Sequence, residues 1–106
     1  MKISHREKSN FQIFDIDGNI AFEETQDLED FVYRNISTSF KNIAINLLSV
    51  PYLNSSALGS FVRILQTLKS QSMELFIMNI NEDIENLFKI TGVTKYFKFV
   101  KEEDIK

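Results

Sequence analysis

Two adjacent serines, Ser55 and Ser56, follow an asparagine in the stretch LNSSALG near the middle of the chain. A serine hydroxyl can accept a phosphoryl group, which adds a charge of about −1.5 to −2 and three strong acceptor oxygens. Serine and asparagine also cap helices, because their side-chain oxygens accept hydrogen bonds from the free N–H groups of the first turn. The stretch by itself therefore permits either a modification site or a helix cap.

Two carboxylates, Asp15 and Asp17, end the apolar stretch FQIFDID just before Gly18. Carboxylates two residues apart at the end of a strand can share a divalent metal ion. The stretch FDIDGN resembles the first motif of haloacid-dehalogenase-type phosphatases, which implies Asp15 as nucleophile and Asp17 as general acid beside Mg²⁺. Asn19 stands where that family usually has threonine, and the family's later lysine and acidic elements need more chain than these 106 residues. A Mg²⁺-dependent phosphatase is therefore a remote alternative.

The composition excludes several other kinds of chemistry. The chain has no cysteine and one histidine, His5, so disulfides, thiolate metal sites and histidine-based triads are out of reach. The net charge of −3 comes without a long basic run, which argues against a nucleic-acid partner. No apolar run approaches the ~20 residues of a membrane span, and the first residues lack a signal-peptide core. We expect one cytoplasmic domain over residues 1–106, with no cofactor and no membrane contact.

Hydrophobic periodicity predicts alternating strands and helices. The run IAINLLSV, residues 43–50, is typical of a strand buried on both faces. The predicted strands are residues 2–8, 11–17, 43–50, 74–80 and 96–100. The predicted helices begin at Thr25, after Asn54 and after Asn81, and the tail KEEDIK is a candidate final helix. The order β-β-α-β-α-β-α-β predicts one α/β domain, in which helices pack against a mixed sheet.

Residues 46–100 contain two stretches that resemble a known family. The loop Asn54-Ser55-Ser56-Ala57-Leu58-Gly59 follows a buried strand and opens a helix, and the next helix ends in LFKITG at Gly92. These stretches resemble the D-S-[SAG]-G-[LIV]-G loop and the later helix of STAS domains. Within that family they are most similar to the bacterial anti-sigma factor antagonists. The resemblance implies a single STAS-like domain over residues 1–106.

The resemblance also implies a regulator and not an enzyme. In such antagonists, an anti-sigma factor that is also a serine kinase phosphorylates the first serine of the loop, which corresponds to Ser55. The unphosphorylated protein binds that kinase and frees the sigma factor, and a phosphatase resets the switch. The implied partner-binding residues are Asn54, Ser55, Ser56, Ala57, Leu58, Ser60 and Arg63. Helical spacing places Ser60 and Arg63 on the polar side of the helix.

Three positions depart from the family pattern. Asn54 replaces the acid before the serine, Ala57 replaces a glycine, and Ala21 replaces an acid that often follows the second strand. Both acids that usually flank the phosphorylation site are therefore neutral here. The departures leave a second interpretation open, in which the chain is a constitutive STAS adaptor in a signalling complex and is not phosphorylated.

Overall fold

The computed structural model describes residues 1–106 and contains five strands and three α-helices. They are β1 (Lys2–Lys8), β2 (Phe11–Asp17), α1 (Thr25–Asn35), β3 (Asn42–Ser49), α2 (Ser55–Ser70), β4 (Glu74–Met78), α3 (Glu82–Ile90) and β5 (Lys98–Val100). This order confirms the predicted alternation. β5 begins two residues later than predicted, because Thr94–Tyr96 forms a 3-10 turn. The tail forms one 3-10 turn, Glu102–Asp104, where an α-helix was a candidate.

The five strands form one mixed sheet in the order β1-β2-β3-β4-β5. β1 and β2 pair antiparallel as a hairpin, with Lys8 opposite Phe11 and a positive φ of 56° at Ser9 in the turn. All other neighbouring strands are parallel, and each crossover between them contains one α-helix. The carboxyl ends of β2, β3 and β4 therefore lie at the same edge of the sheet.

The helices pack on one face of the sheet and enclose the main core. Because side chains alternate along a strand, each strand contributes every second residue to this face. The largest contributions from the strands are Phe14, Ile16, Ile43, Ile45, Leu47, Leu75 and Ile77. The helices contribute Leu28, Val32, Leu58, Phe61, Leu65, Ile84 and Phe88. This cluster holds the first turn of α2 firmly against the sheet.

The C-terminal residues cover part of the opposite face of the sheet. Ile105 is buried there with Phe11, Ile13, Ala44 and Met78. β3 is therefore buried on both faces over residues 43–47, as its sequence predicts. Leu48, one residue further on, is 71% exposed.

A closed ring of polar contacts fixes that C-terminal segment. Arg6 donates hydrogen bonds to Asp15 (Nε to Oδ2, 2.6 Å) and to Glu102 (Nη2 to Oε1, 2.7 Å). Asn46 Nδ2 donates to Asp15 at 2.7 Å, and Asn79 Nδ2 donates to Asn46 at 3.0 Å. The backbone N–H of Glu102 donates to Asn79 Oδ1 at 3.1 Å and completes the ring. The hydrogen bonds from Arg6 lower the pKa of Glu102 to about 2.

The helix starts follow the capping that the sequence predicts. Asn54 caps α2 by accepting a hydrogen bond from Ser56, and Asn81 caps α3 by accepting one from Ile84. Three acids, Glu82, Asp83 and Glu85, lie in the first turn of α3, where they complement the helix dipole. None of the helices has both the length and the apolar composition that crossing a bilayer requires.

Candidate regulatory site

The loop between β3 and α2 that leads to Ser55, here called the serine loop, lies at the carboxyl-end edge of the sheet. The loop after β2 holds it there. The segment after β2 runs beside the segment after β3, and Ile20 forms a parallel bridge with Leu53. The N–H of Asn54 donates to the carbonyl of Ile20 at 3.2 Å, and the N–H of Tyr52 donates to Asn19 Oδ1 at 3.1 Å. Ile20 and Leu53 are both fully buried, so this bridge anchors the two loops in the core.

The start of α3 supports the serine loop from the other side. Asn81 Nδ2 donates to the carbonyls of Val50 and Pro51 at 3.3 and 3.1 Å. The same side chain caps α3 through its oxygen, so both ends of one amide are used. The sequence identified Asn81 as a cap, but it gave no sign of the bond to a loop thirty residues earlier.

Ser55 is the first residue of α2 and is exposed to solvent. The cap immediately before it is made by Asn54, whose Oδ1 accepts a hydrogen bond from the N–H of Ser56 at 2.9 Å. Because Asn54 supplies the cap, the Ser55 hydroxyl is not needed as an acceptor for the free N–H groups of the first turn. The positive end of the helix dipole also lies here, and it favours a negative group.

The other predicted contact residues differ in their exposure. Ser56 is half-buried, and its Oγ is shielded from solvent without a hydrogen-bond partner. Ala57 and Leu58 are buried in the core. The prediction that Ser60 lies on the polar side of the helix is wrong, because Ser60 is fully buried between α2 and α1. Of the residues predicted to contact a partner, the structure thus exposes Asn54, Ser55 and Arg63 and partly exposes Ser56.

Ser60 and Arg63 belong to a polar cluster that joins α2 to α1. Both bond to Glu29, a buried carboxylate on α1: Ser60 Oγ donates at 3.0 Å and Arg63 Nη2 at 2.8 Å. The hydrogen bonds from Arg63 lower the pKa of Glu29, although burial opposes this shift. Glu29 could not be identified as a contact residue from the sequence, because it reads as one more acid on an amphipathic helix.

Two exposed aromatic residues flank the serine loop. Phe22 follows the Ile20 bridge residue by two positions and is 69% exposed. Tyr52 directly precedes the partner of that bridge, Leu53, and is 54% exposed. Large exposed aromatic side chains of this kind are enriched in protein–protein interfaces. Neither aromatic was predicted from the sequence to contact a partner, although each falls outside the periodicity of its neighbouring element.

The two carboxylates of the phosphatase alternative, Asp15 and Asp17, differ in their surroundings. Asp15 is engaged by Arg6 and Asn46 in the polar ring, and Asp17 is exposed at the end of β2. The structure brings together no group of three or more histidine, cysteine, aspartate or glutamate side chains that could hold a metal ion.

The family model described as "STAS domain" matches residues 2–104 of this chain. Among curated proteins, the chain is similar to the anti-sigma-B factor antagonist of Staphylococcus aureus (strain NCTC 8325 / PS 47), with 28% identity over 93 residues, covering 88% of this chain and 86% of the relative. It is 30% identical over 78 residues to the anti-sigma-B factor antagonist of Staphylococcus epidermidis, covering 74% of this chain and 72% of the relative.

Solved structures show the same fold. The anti-sigma factor antagonist SpoIIAA in its unphosphorylated form matches with a TM-score of 0.79 and 12% identity, covering 97% of this chain and 91% of that chain. The phosphorylated form of SpoIIAA, described as a Bacillus cell fate determinant, matches with a TM-score of 0.71 and 12% identity, covering 97% and 95% of the two chains.

Proposed function

This chain belongs to the STAS domain family, of the anti-sigma factor antagonist type, and on that premise we propose that it binds an anti-sigma factor that is also a serine kinase. The unmodified chain sequesters this partner and so releases a sigma factor for transcription. Phosphorylation of Ser55 ends the binding, and a phosphatase restores it. In the modification step, the terminal phosphoryl group of the kinase's ATP replaces the hydroxyl proton of Ser55 and leaves ADP.

One observation carries this proposal: the hydroxyl-bearing residue that is exposed at the start of α2 is Ser55. Ser56 Oγ is shielded, and Ser60 is buried and bonded to Glu29. A kinase therefore meets only one accessible serine in this part of the helix. That serine is also the one that corresponds in position to the family's phosphorylation site.

The fold tolerates a phosphate on Ser55, whereas a docked partner does not. At the helix start, the free N–H groups and the helix dipole favour negative charge, and Asn54 keeps the cap intact. A partner surface fitted to a neutral hydroxyl would instead bury a charge of about −2, which is expensive unless cations are supplied. Phosphorylation can thus abolish binding without unfolding the protein.

The proposed partner-binding surface consists of Asn54, Ser55 and Ser56 with the flanking aromatics Phe22 and Tyr52. We call these five residues the serine-loop surface. Arg63 lies at its border, about two turns after Ser55 on α2, with 56% of its side chain exposed. Ala57 and Leu58 support the surface from below by anchoring the first turn in the core.

The constitutive adaptor remains a second candidate because of Asn54. This residue is neutral where the family has an acid, and its side-chain oxygen is occupied by the cap. A kinase that relies on that acid would phosphorylate Ser55 slowly or not at all. In this case the serine-loop surface binds its partner permanently.

Binding by three variants separates these functions. Ser55→Ala keeps the surface neutral, and Ser55→Asp places a permanent charge at the phosphorylation site. Ser39→Asp is a matched control, because Ser39 is exposed in the loop before β3, at the opposite edge of the sheet. We expect an anti-sigma factor from the same genome to be captured by Ser55→Ala and Ser39→Asp but lost by Ser55→Asp. Equal capture by all three would favour the constitutive adaptor, and capture by none would contradict the antagonist function.

A further inference from the structure

One nitrogen of the Arg63 guanidinium donates no hydrogen bond to another residue. Its Nε donates to Glu29 at 3.0 Å, and its Nη2 donates to Glu29 at 2.8 Å and to Ser60 Oγ at 3.2 Å. Nη1 takes part in none of these contacts. The pairing with Glu29 therefore fixes the guanidinium plane and leaves the Nη1 donors available.

The position of this nitrogen is set by Gly59. A Cβ atom on Gly59 would lie 3.5 Å from Nη1, so the guanidinium rests on the helix surface at the glycine, one turn before Arg63 itself. Long side chains on a helix lean toward its N-terminus in this way. Ser55 lies one further turn toward the N-terminus, on the same stripe of α2. Helix positions one turn apart are neighbours, with Cβ positions about 5–6 Å apart. The Ser55 side chain is therefore next to the place at Gly59 where Arg63 Nη1 rests.

We propose that Arg63 is the phosphate-binding residue of the phosphorylated state and that its Nη1 donates to the phosphoryl group on Ser55. This inference rests on the proposed function, because it concerns the same modified serine. Arg63 then stands between two anions, the phosphate on α2 and Glu29 on α1. A guanidinium can serve both, because its five N–H donors point in fixed directions around one plane.

Such a contact would change what phosphorylation does to the surface. The phosphate would be drawn along α2 toward Arg63, and part of its charge would be balanced by a residue of the same chain. The exposed side of Arg63, which an acidic group of a partner could otherwise contact, would be occupied. The modified chain would therefore lose a cation from the border of the serine-loop surface as well as gain an anion within it.

The test uses phosphoserine inserted at position 55 during translation, so that neither a kinase nor a partner is required. Two matched backgrounds both lack the Glu29 charge but keep an acceptor oxygen at position 29 that can hold the guanidinium: Glu29→Gln, which keeps Arg63, and Glu29→Gln/Arg63→Gln. A third, Glu29→Gln/Lys69→Gln, removes a cation at the far end of the same helix. The readout is the second pKa of the phosphate, ordinarily about 6, followed by ³¹P NMR during a pH titration.

We expect the phosphate to titrate about 0.5 pH units lower in Glu29→Gln and in the Lys69 control than in the variant without Arg63. The same midpoint in all three chains, each shown to be folded by circular dichroism, would overturn the inference. If the double variant at Arg63 does not fold, Arg63→Gln alone serves, with the parent phosphoprotein as its reference and the same expected difference. Because no partner is present, failure here leaves the binding switch intact.

Discussion

Asn54 accepts a hydrogen bond from the backbone N–H of Ser56 at 2.9 Å, so the residue that caps α2 is the immediate neighbour of the proposed phosphorylation site. This relationship separates two roles that the sequence leaves combined. The cap belongs to Asn54, and the exposed hydroxyl of Ser55 is free for a kinase or a partner. Stability and regulation can therefore be tested by changing adjacent residues.

Replacing Asn54 should affect stability in proportion to the capping ability of the new residue. Asn54→Ala removes the acceptor for the Ser56 N–H, and we expect a loss of about 1 kcal/mol in the free energy of unfolding. Asn54→Asp keeps the acceptor and restores the family's acid, so stability should stay within about 0.5 kcal/mol of the parent. Urea denaturation measures both. An equal loss in the two variants would contradict the assignment of the cap.

Ser56→Ala should leave the protein at least as stable as the parent. The Ser56 Oγ is shielded and has no hydrogen-bond partner, so removing it relieves a desolvated polar group and breaks no contact. We expect the thermal midpoint to stay unchanged or to rise. Ser60→Ala provides the contrast, because Ser60 Oγ donates to buried Glu29, and its loss should cost about 1 kcal/mol. A larger loss for Ser56→Ala would show that its hydroxyl is bonded.

The contact between Arg6 and Glu102 should appear in the acid dependence of stability. The pKa of Glu102 is about 2 in the folded chain, below its ordinary value near 4.3. Its stabilisation is therefore complete above about pH 4.3 and is lost as the pH falls toward 2. Because 39% of the Arg6 side chain is exposed, solvent screens the pair, and we expect about 1 kcal/mol.

Glu102→Gln should accordingly lower stability at pH 7 and flatten its decline between pH 4.3 and 2. The matched control is Glu103→Gln, since Glu103 is the exposed neighbour in the same turn. The measurement is the thermal midpoint across this pH range. If the two variants lose stability in parallel with the parent, Glu102 is not the group that secures the C-terminal segment.

The exposed aromatics of the serine-loop surface should contribute to partner affinity more than to stability. We expect Phe22→Ala and Tyr52→Ala each to weaken binding of the anti-sigma factor at least tenfold, as for aromatic residues that anchor an interface, with little change in unfolding free energy. Ile90→Ala is the control, because Ile90 is 82% exposed on α3. Calorimetric titration measures the affinities. A weaker complex with Ile90→Ala than with Tyr52→Ala would place the interface elsewhere.

Much of the fold could be predicted because its signals are local. The unbroken run at 43–50 indicates a buried parallel strand, and the asparagines Asn54 and Asn81 mark the starts of α2 and α3. The loop motif at Ser55 likewise lies within six consecutive residues. Each of these features depends on neighbours in the sequence, so the pattern and the structure agree.

The remaining features depend on contacts between distant residues. Ser60 reads as a polar surface residue, yet it is buried because Glu29, thirty-one positions earlier, accepts its hydrogen bond. The polar ring joins Arg6 to Glu102 across ninety-six positions. No single-sequence pattern reports such pairings, since each partner alone is an ordinary charged or polar residue. The segments that carry Phe22 and Tyr52 are distant in the sequence and meet at the bridge between Ile20 and Leu53.

The most direct test of the switch is the phosphate occupancy of Ser55 in the free and the partner-bound pools of the protein, both taken from its native cells. Each pool would be separated by size, digested, and analysed by mass spectrometry of the peptide that contains Ser55 and Ser56. We predict that the bound pool is unmodified and that the phosphate in the free pool is on Ser55. Equal occupancy in the two pools, or phosphate on Ser55 within the complex, would contradict the account.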